Sequence, residues 1–154
     1  MESESIIIDS SVLIRWVQKA DPRYSIVRAA LQQVEDLRMI PCCTSQNIEE
    51  FWSVLTRPAD RNGYGMPAEA VLMRVRSLES KFRLLPELPS VHPTWRRLLL
   101  VHGVTGSHVR DAHLAASMIV HGVRRILTFN TKEFSRFSAV QPLHPRDFVR
   151  ASQQ

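Results

Sequence analysis

Short apolar runs alternate along this chain with segments in which apolar residues recur at helical spacing. The opening run, Ile6-Ile7-Ile8, is continuous, which is typical of a strand buried on both faces of a parallel sheet. Further strands are predicted at 39–43, 82–85 and 125–128, with a short edge strand near Ala139. This order predicts an α/β fold with a central, mainly parallel, twisted sheet of four or five strands flanked by helices.

Helical periodicity is clearest after the second predicted strand. Ile48, Phe51, Trp52 and Leu55 lie at i, i+3, i+4 and i+7, so this face is predicted to be buried. The other predicted helices span 23–35, 67–78, 90–102 and 108–121, with a last helical turn near 145. Their predicted caps and stops are Thr44 or Ser45, Ser90, Ser107, Gly103 and Gly122. No repeat or linker interrupts the pattern, so 1–154 is interpreted as a single domain.

Charge and cysteine content narrow the class of protein. The net charge of +5 and the pI near 9.9 are compatible with an anionic partner such as nucleic acid. Cys42 and Cys43 are adjacent and have no Cys-x-x-Cys spacing, so we expect two buried, reduced thiols and no zinc site. The N-terminus lacks a signal-peptide pattern and the apolar runs are short, so we expect a cytoplasmic protein without a membrane segment.

Asp9 directly follows the first predicted strand. Ligands of open α/β sheets gather just beyond the carboxyl ends of the strands, so a carboxylate followed by Ser10 and Ser11 suggests a cation site. The alternative interpretation is that Asp9 or Ser10 only caps the next helix. The local pattern does not choose between the two.

Three further acids lie where such a sheet brings side chains together. Glu49 and Glu50 begin the helix after the second strand, and Asp111 is in the first turns of the helix before the fourth. Carboxylates can hold a divalent cation, most suitably Mg²⁺, and so allow hydrolysis of a phosphodiester that they would otherwise repel. Alternatively, the two glutamates are a solvated pair and Asp111 is a favourable charge at a helix N-terminus.

Four segments contain these polar residues. They are 9–14 (DSSVLI), 45–58 (SQNIEEFWSVLTRP), 110–116 (RDAHLAA) and 127–134 (LTFNTKEF). Together they resemble, in family order, the motifs of PIN-domain ribonucleases, the fold of the VapC-type toxins of bacterial toxin–antitoxin pairs. No single segment is specific, but the set covers nearly the whole chain.

The resemblance implies an Mg²⁺- or Mn²⁺-dependent endoribonuclease. Asp9, Glu50 and Asp111 match the family's catalytic, metal-binding acids, with Glu50 preferred over Glu49 because it precedes the aromatic pair. Ser10 matches a supporting hydroxyl. In the fourth segment, Asn130 and Glu133 are candidate supporting residues, and the departure from aspartate there puts a second metal in doubt. The family also implies an RNA substrate, a cognate antitoxin and a homodimer.

Other residues have competing interpretations. Arg57, Arg61 and Arg110 are candidate RNA phosphate contacts, although any one arginine is more often simply solvated. The tryptophans Trp16, Trp52 and Trp95 lie on helical apolar stripes, which favours the core over base-stacking platforms. The apolar side chains Val27, Leu31 and Val34 either face the sheet or form a dimer surface.

Two alternative functions compete with a nuclease. The first is an inactive PIN-fold module that binds RNA or protein. The second is a phosphoreceiver-like signalling domain, which needs a second acid beside Asp9 and a lysine late in the sheet. This chain has Ser10-Ser11 where the second acid is needed and Arg125 where the lysine is needed, which counts against a phosphoreceiver-like domain.

Overall fold

A computed structural model describes residues 3–152, with side chains up to 151. Five strands are present in this range: β1 (Ser5–Ile8), β2 (Ile40–Thr44), β3 (Arg83–Leu85), β4 (Arg125–Leu127) and β5 (Gln141–Leu143). The α-helices of the same range are α1 (Ser10–Trp16), α2 (Tyr24–Asp36), α3 (Ser45–Thr56), α4 (Ala68–Lys81), α5 (Val91–His102), α6 (Val109–His121), α7 (Thr131–Phe134) and α8 (Pro145–Ser152). Short 3₁₀ turns lie at Ala59–Arg61 and Gly106–His108.

The strands form one fully parallel sheet in the order β3-β2-β1-β4-β5, which confirms the predicted α/β class. β1 is central, and Ile7 aligns with Cys42 on one side and Ile126 on the other. The chain order reverses between β1 and β4, and ligands of open α/β sheets bind at such a reversal. A phosphoreceiver domain has the order 2-1-3-4-5, so this sheet is not of that kind.

Helices cover both faces of the sheet. Because strand side chains alternate, Ile6 and Ile8 enter one apolar cluster and Ile7 the other, and all three are fully buried. Residues of α1 to α4 and α8 complete the first cluster, and residues of α5, α6 and α7 contribute to the second. Cys42 and Cys43 are buried free thiols, as predicted, and burial raises the pKa of Cys43 to about 11.

The three tryptophans are partly buried against the clusters, in agreement with the core assignment. Val27 and Val34 are buried in the first cluster and Leu31 packs against it, because α8 covers α2. Val27 and Val34 therefore face the protein's own core and do not form a dimer surface, whereas Leu31 is partly exposed and the homodimer stays a prediction. No helix within residues 3–152 has the length and apolar character needed to cross a bilayer.

Element boundaries agree with the predictions except at a few positions. Thr44 is the cap of α3, and its hydroxyl accepts a hydrogen bond from the backbone N–H of Asn47 at 3.3 Å. Ser90 stands at the cap position of α5 but its side chain forms no capping bond. Ser107 does not cap α6, because a 3₁₀ turn, Gly106–His108, occupies the approach. The short helix α7 was not predicted, and β5 lies slightly beyond Ala139.

Candidate functional site

Asp9 joins the end of β1 to the start of α1. It is the N-cap of α1, and its Oδ1 accepts a hydrogen bond of 2.9 Å from the backbone N–H of Ser10. Its Oδ2 accepts a bond of 2.8 Å from the hydroxyl of Ser11. The residue as a whole is only 6% exposed. The capping interpretation of Asp9 is therefore correct, and it is compatible with a functional role for the same group.

The Asp9 carboxylate also binds a residue at the end of a second strand, β4. Thr128, which follows β4 and is fully buried, donates a 2.7 Å hydrogen bond to Oδ2 of Asp9. The Thr128 hydroxyl also accepts a bond from the backbone N–H of Asn130 at 2.9 Å. Ser11 accepts one from the N–H of Phe129 at 3.2 Å. This network connects the carboxyl ends of β1 and β4 and fixes the direction of the Asp9 side chain.

Burial is the main electrostatic influence on Asp9. Removal of the carboxylate from water raises its pKa, since burial penalises the charged form. The hydrogen bonds from Thr128, Ser11 and Ser10 oppose this shift. The negative charge of Asp111 adds a further, smaller increase to the pKa. The two acids therefore interact electrostatically across the site.

Asp111 lies in the first turn of α6 and is partly buried. Burial raises its pKa, and His108, whose Nδ1 lies 3.2 Å from Oδ2 of Asp111, lowers it. Glu133 acts on Asp111 as a like charge and raises the pKa. His108 therefore favours the ionised form of Asp111.

A small cavity of about 60 Å³ lies between these groups, and we call it the acid cavity. Its lining includes all three predicted acids together with Ser10, Asn130 and Arg110. Its other lining residues are Gln46, Asn47, Leu114 and Phe134. The cavity lies beyond the ends of β1, β2 and β4, at the reversal of strand order.

The remaining predicted residues are placed differently. Glu49 is exposed and does not line the acid cavity, whereas Glu50, also exposed, does. Glu133 acts on Asp111 through its charge but is not part of the lining. Arg57 and Arg61 also lie outside the lining, and Arg57 contacts the Ser53 hydroxyl at 3.4 Å.

Several supporting residues were not singled out from the sequence. Gln46 donates a 2.9 Å hydrogen bond from Nε2 to the backbone carbonyl of Arg110, which links α3 to α6. Oδ1 of Asn47 accepts bonds from the backbone N–H of Thr44 at 2.9 Å and from its hydroxyl at 3.1 Å. Both contacts hold the start of α3, one turn before Glu50. The sequence signal for the second contact is the Thr44-x-x-Asn47 spacing of a capping box.

The oxygen donors suit a hard divalent cation, although they are not gathered at one point. Within residues 3–151, no group of three or more His, Cys, Asp or Glu side chains is close enough to hold a metal ion. Mg²⁺ usually binds proteins through one or two carboxylates and keeps several waters. The carboxylates around the acid cavity therefore fit a hydrated Mg²⁺ or Mn²⁺ better than a fully dehydrated ion.

Comparisons with known proteins agree with this architecture. Among solved structures, the VapC20 toxin of Mycobacterium tuberculosis, described as cleaving the sarcin–ricin loop, is 15% identical with a TM-score of 0.64, over 86% of this chain and 95% of that one. VapBC2 of Rickettsia felis, bound to a promoter DNA fragment, is 14% identical with a TM-score of 0.67, over 90% and 97%. FitAcB of Neisseria gonorrhoeae is 18% identical with a TM-score of 0.64, over 92% and 98%.

These likenesses are all at low sequence identity and show the fold. No curated protein matches the chain. The family model described as PIN domain matches residues 6–140, which include β1 from Ile6 onward, β2, β3, β4 and all the residues that line the acid cavity. The chain therefore belongs to the PIN domain family.

Proposed function

We propose that this protein is a metal-dependent endoribonuclease that hydrolyses RNA phosphodiester bonds, and that it acts as a VapC-type toxin. The observation that carries the proposal is the acid cavity, where Asp9, Glu50 and Asp111 from three separate elements line one small space. PIN family membership and the VapC fold neighbours support the same activity. No part of the proposal depends on Glu49.

Asp9, Glu50 and Asp111 are the proposed ligands of Mg²⁺ or Mn²⁺. When bound, the cation would offset the charge of the substrate phosphate and activate a water molecule for attack. Ser11 and Thr128 keep the Asp9 carboxylate aimed, and Ser10 supports it through its backbone N–H. Arg110, on the rim of the cavity, is placed to meet an RNA phosphate.

The proposed partner is an antitoxin that blocks this site. VapBC complexes, including one bound to promoter DNA, are among the similar solved structures. We also propose a homodimer, formed by surfaces other than the buried Val27 and Val34. The two unpaired cysteines agree with action in the reducing cytoplasm.

The competing function is an inactive PIN-fold module that only binds RNA or protein. Asn130 in the acid cavity is the residue that favours it, since an amide is a weaker metal ligand than a carboxylate. The presence of the other three acids favours the nuclease. The two functions differ in one measurable property, which is turnover of RNA.

Cleavage of a mixed RNA pool by the purified protein is the direct test. We expect cleavage with Mg²⁺ or Mn²⁺, none in EDTA, and none from Asp9→Asn with either metal. Asp60→Asn removes an equal charge from an exposed position on the 3₁₀ turn Ala59–Arg61, so it is the matched control and should cleave normally. Intact RNA with the parent protein and metal would leave the binding module as the better proposal.

A further inference from the structure

A second, much larger cavity opens beside the acid cavity. It has a volume of about 680 Å³, and Ser10, Glu50 and Asn130 line both cavities. We call it the arginine cleft, after Arg15, Arg23 and Arg146 in its lining. A chain-like ligand lying across the acid cavity therefore has a continuous path into the cleft. The two spaces differ sharply in charge, since carboxylates dominate one and guanidinium groups the other.

Arg15 lines the cleft, and one of its hydrogen-bond donors is unpaired within residues 3–151. Its Nη1 donates a 2.6 Å bond to the carbonyl of Ser11, whereas its Nε is buried and has no partner among the described residues. Burial lowers the pKa of Arg15, and the neighbouring charge of Arg23 lowers it further, so the two guanidinium groups repel each other. An anion between them would relieve this repulsion.

The aromatic ring of Phe129 holds the two arginines in place. The guanidinium carbon of Arg15 lies 5.1 Å from the ring centroid and that of Arg23 lies 5.4 Å from it. His144 meets the same ring edge-on at 5.1 Å. The Nδ1 of His144 accepts the backbone N–H of Arg146 at 3.1 Å, so the neutral ring carries its proton on Nε2, where it can donate. Four donor side chains therefore surround one cleft.

Few acidic side chains offset the positive charge of the arginine cleft. Asp21 lies 3.7 Å from Arg23, and no ion pair to Arg15 or Arg146 is found in the described part of the chain. Glu50 is the acid that lines the cleft itself, and it lies on the rim shared with the acid cavity. The interior of the cleft is therefore cationic, and its guanidinium groups present paired N–H donors of the kind that bind phosphate.

Tyr64 places an exposed aromatic ring in the cleft, which an acidic peptide, the other anionic chain that could bind there, would not require. It lines the cleft, is 40% exposed and follows the turn residues Asn62 and Gly63. Nucleic acid bases stack on exposed aromatic rings whatever their sequence. The cleft therefore offers guanidinium groups for a phosphate and an exposed ring for a base, in one space continuous with the acid cavity. This combination matches a nucleotide.

We propose that the arginine cleft is a binding subsite for the RNA nucleotide next to the scissile phosphate. Arg15, Arg23 and Arg146 bind its phosphate, and Tyr64 stacks on its base. The inference rests on the proposed nuclease function, because it takes the acid cavity as the place of cleavage. It predicts that affinity for RNA comes largely from residues that play no part in metal binding.

Direct binding tests this subsite independently of cleavage. The fluorescence anisotropy of a labelled single-stranded RNA is measured with the full chain in EDTA, over a range of salt concentrations. Arg23→Gln combined with Arg146→Gln changes two exposed residues, so the fold should be retained. Arg74→Gln combined with Arg76→Gln removes the same charge from exposed positions on α4 that line neither cavity, and it is the matched control.

We expect the cleft variant to bind RNA about tenfold more weakly than the parent. Each lost phosphate contact should reduce the slope of log K against log salt by about 0.7. Tyr64→Ala should weaken binding with an unchanged slope, since stacking releases no counterions. The α4 control should bind like the parent. These results would support RNA binding in the cleft even if the parent protein did not cleave RNA, so failure of the nuclease proposal and failure of the cleft proposal are distinguishable.

Two outcomes would overturn the proposal. In the first, the cleft variant and the α4 control lose equal affinity, so charge alone governs binding. In the second, an octaglutamate peptide binds the parent more tightly than an RNA octamer, and the cleft variant loses the peptide but keeps the RNA. The cleft would then be a site for an acidic protein segment.

Discussion

The hydroxyl of Thr128 donates a 2.7 Å hydrogen bond to Oδ2 of Asp9, although 119 positions separate the two residues. The bond exists because β1 and β4 are neighbours in the sheet, with Ile8 aligned with Leu127. Asp9 directly follows β1 and Thr128 directly follows β4, so the sheet itself sets the distance between them. Thr128 is fully buried, and its hydroxyl has no route to water.

Replacement of Thr128 by valine should therefore damage both stability and the site. The change removes the donor to Asp9 and the acceptor for the N–H of Asn130, and an unsatisfied buried polar group costs about 1–3 kcal/mol of unfolding free energy. It should also raise the pKa of Asp9, since a bond that lowers this pKa is lost. Chemical denaturation measures the first effect and the pH dependence of RNA cleavage the second.

Thr128→Ser is the matched control because it keeps the hydroxyl and loses only a methyl group. We expect the acidic limb of the cleavage profile to move to higher pH in the valine variant and to stay in place in the serine variant. If both variants lost stability equally and kept the parent profile, the hydroxyl would have no effect on Asp9.

Asp9→Asn should stabilise the metal-free protein at neutral pH. The pKa of Asp9 in the folded protein lies above the ordinary aspartate value of 3.8, so the folded state holds this proton more tightly than the unfolded chain does. This contribution to stability is therefore complete below the unfolded pKa and is lost as the pH rises through the raised folded pKa. Asparagine removes that loss, by about 1.4 kcal/mol for each unit of pKa shift. It is also a good N-cap, so the cap of α1 is preserved.

Melting temperatures in EDTA between pH 3.5 and 8 measure this effect. The advantage of Asp9→Asn should be largest at pH 7 to 8 and should shrink as the pH approaches 3.8. Adding Mn²⁺ should raise the melting temperature of the parent, since an ion that binds only the folded state stabilises it, and raise that of the variant less. A variant less stable than its parent throughout this range would contradict the prediction that the buried charge of Asp9 destabilises the metal-free protein.

Much of the fold could be predicted because the signals are local. The buried run Ile6-Ile7-Ile8 and the stripe on α3 are periodic within a few residues, and the structure places them as expected. Contacts that depend on the order of strands in the sheet could not be predicted from local sequence. Nothing near Thr128 indicates that it bonds to Asp9, because that contact depends on which strand lies beside β1.

The errors have similar physical causes. Ser107 has the right residue type for a cap, but Gly106 adopts a left-handed φ of 62° and the chain enters α6 through a 3₁₀ turn instead. The sequence does not reveal that Val27 and Val34 are covered, because α8, which packs on α2, lies far along the chain. The arginine cleft was missed because Arg15, Arg23 and Arg146 come from three separate segments.

Glu50 and Glu49 offer a comparison between adjacent residues of one type. Both are exposed, so exchange of either for glutamine should change the free energy of unfolding by less than about 0.5 kcal/mol. Glu50 lines the acid cavity and Glu49 does not. We therefore expect Glu50→Gln to lose at least about 100-fold in Mg²⁺-dependent cleavage, and Glu49→Gln to stay near the parent rate. Equal losses in the two variants would mean that the choice of Glu50 is wrong.

His108 provides a last test, through its effect on Asp111. The imidazole Nδ1 lies 3.2 Å from Oδ2 of Asp111 and holds the pKa of that carboxyl lower than burial alone would. His108→Ala should therefore raise the pKa of Asp111. The acidic limb of the cleavage profile should then move to higher pH, and only modestly because the pair is partly exposed to solvent. His92→Ala removes an exposed histidine from α5 and should leave the profile unchanged. A profile that moved equally in both variants, or in neither, would show that ionisation of Asp111 does not limit cleavage in acid.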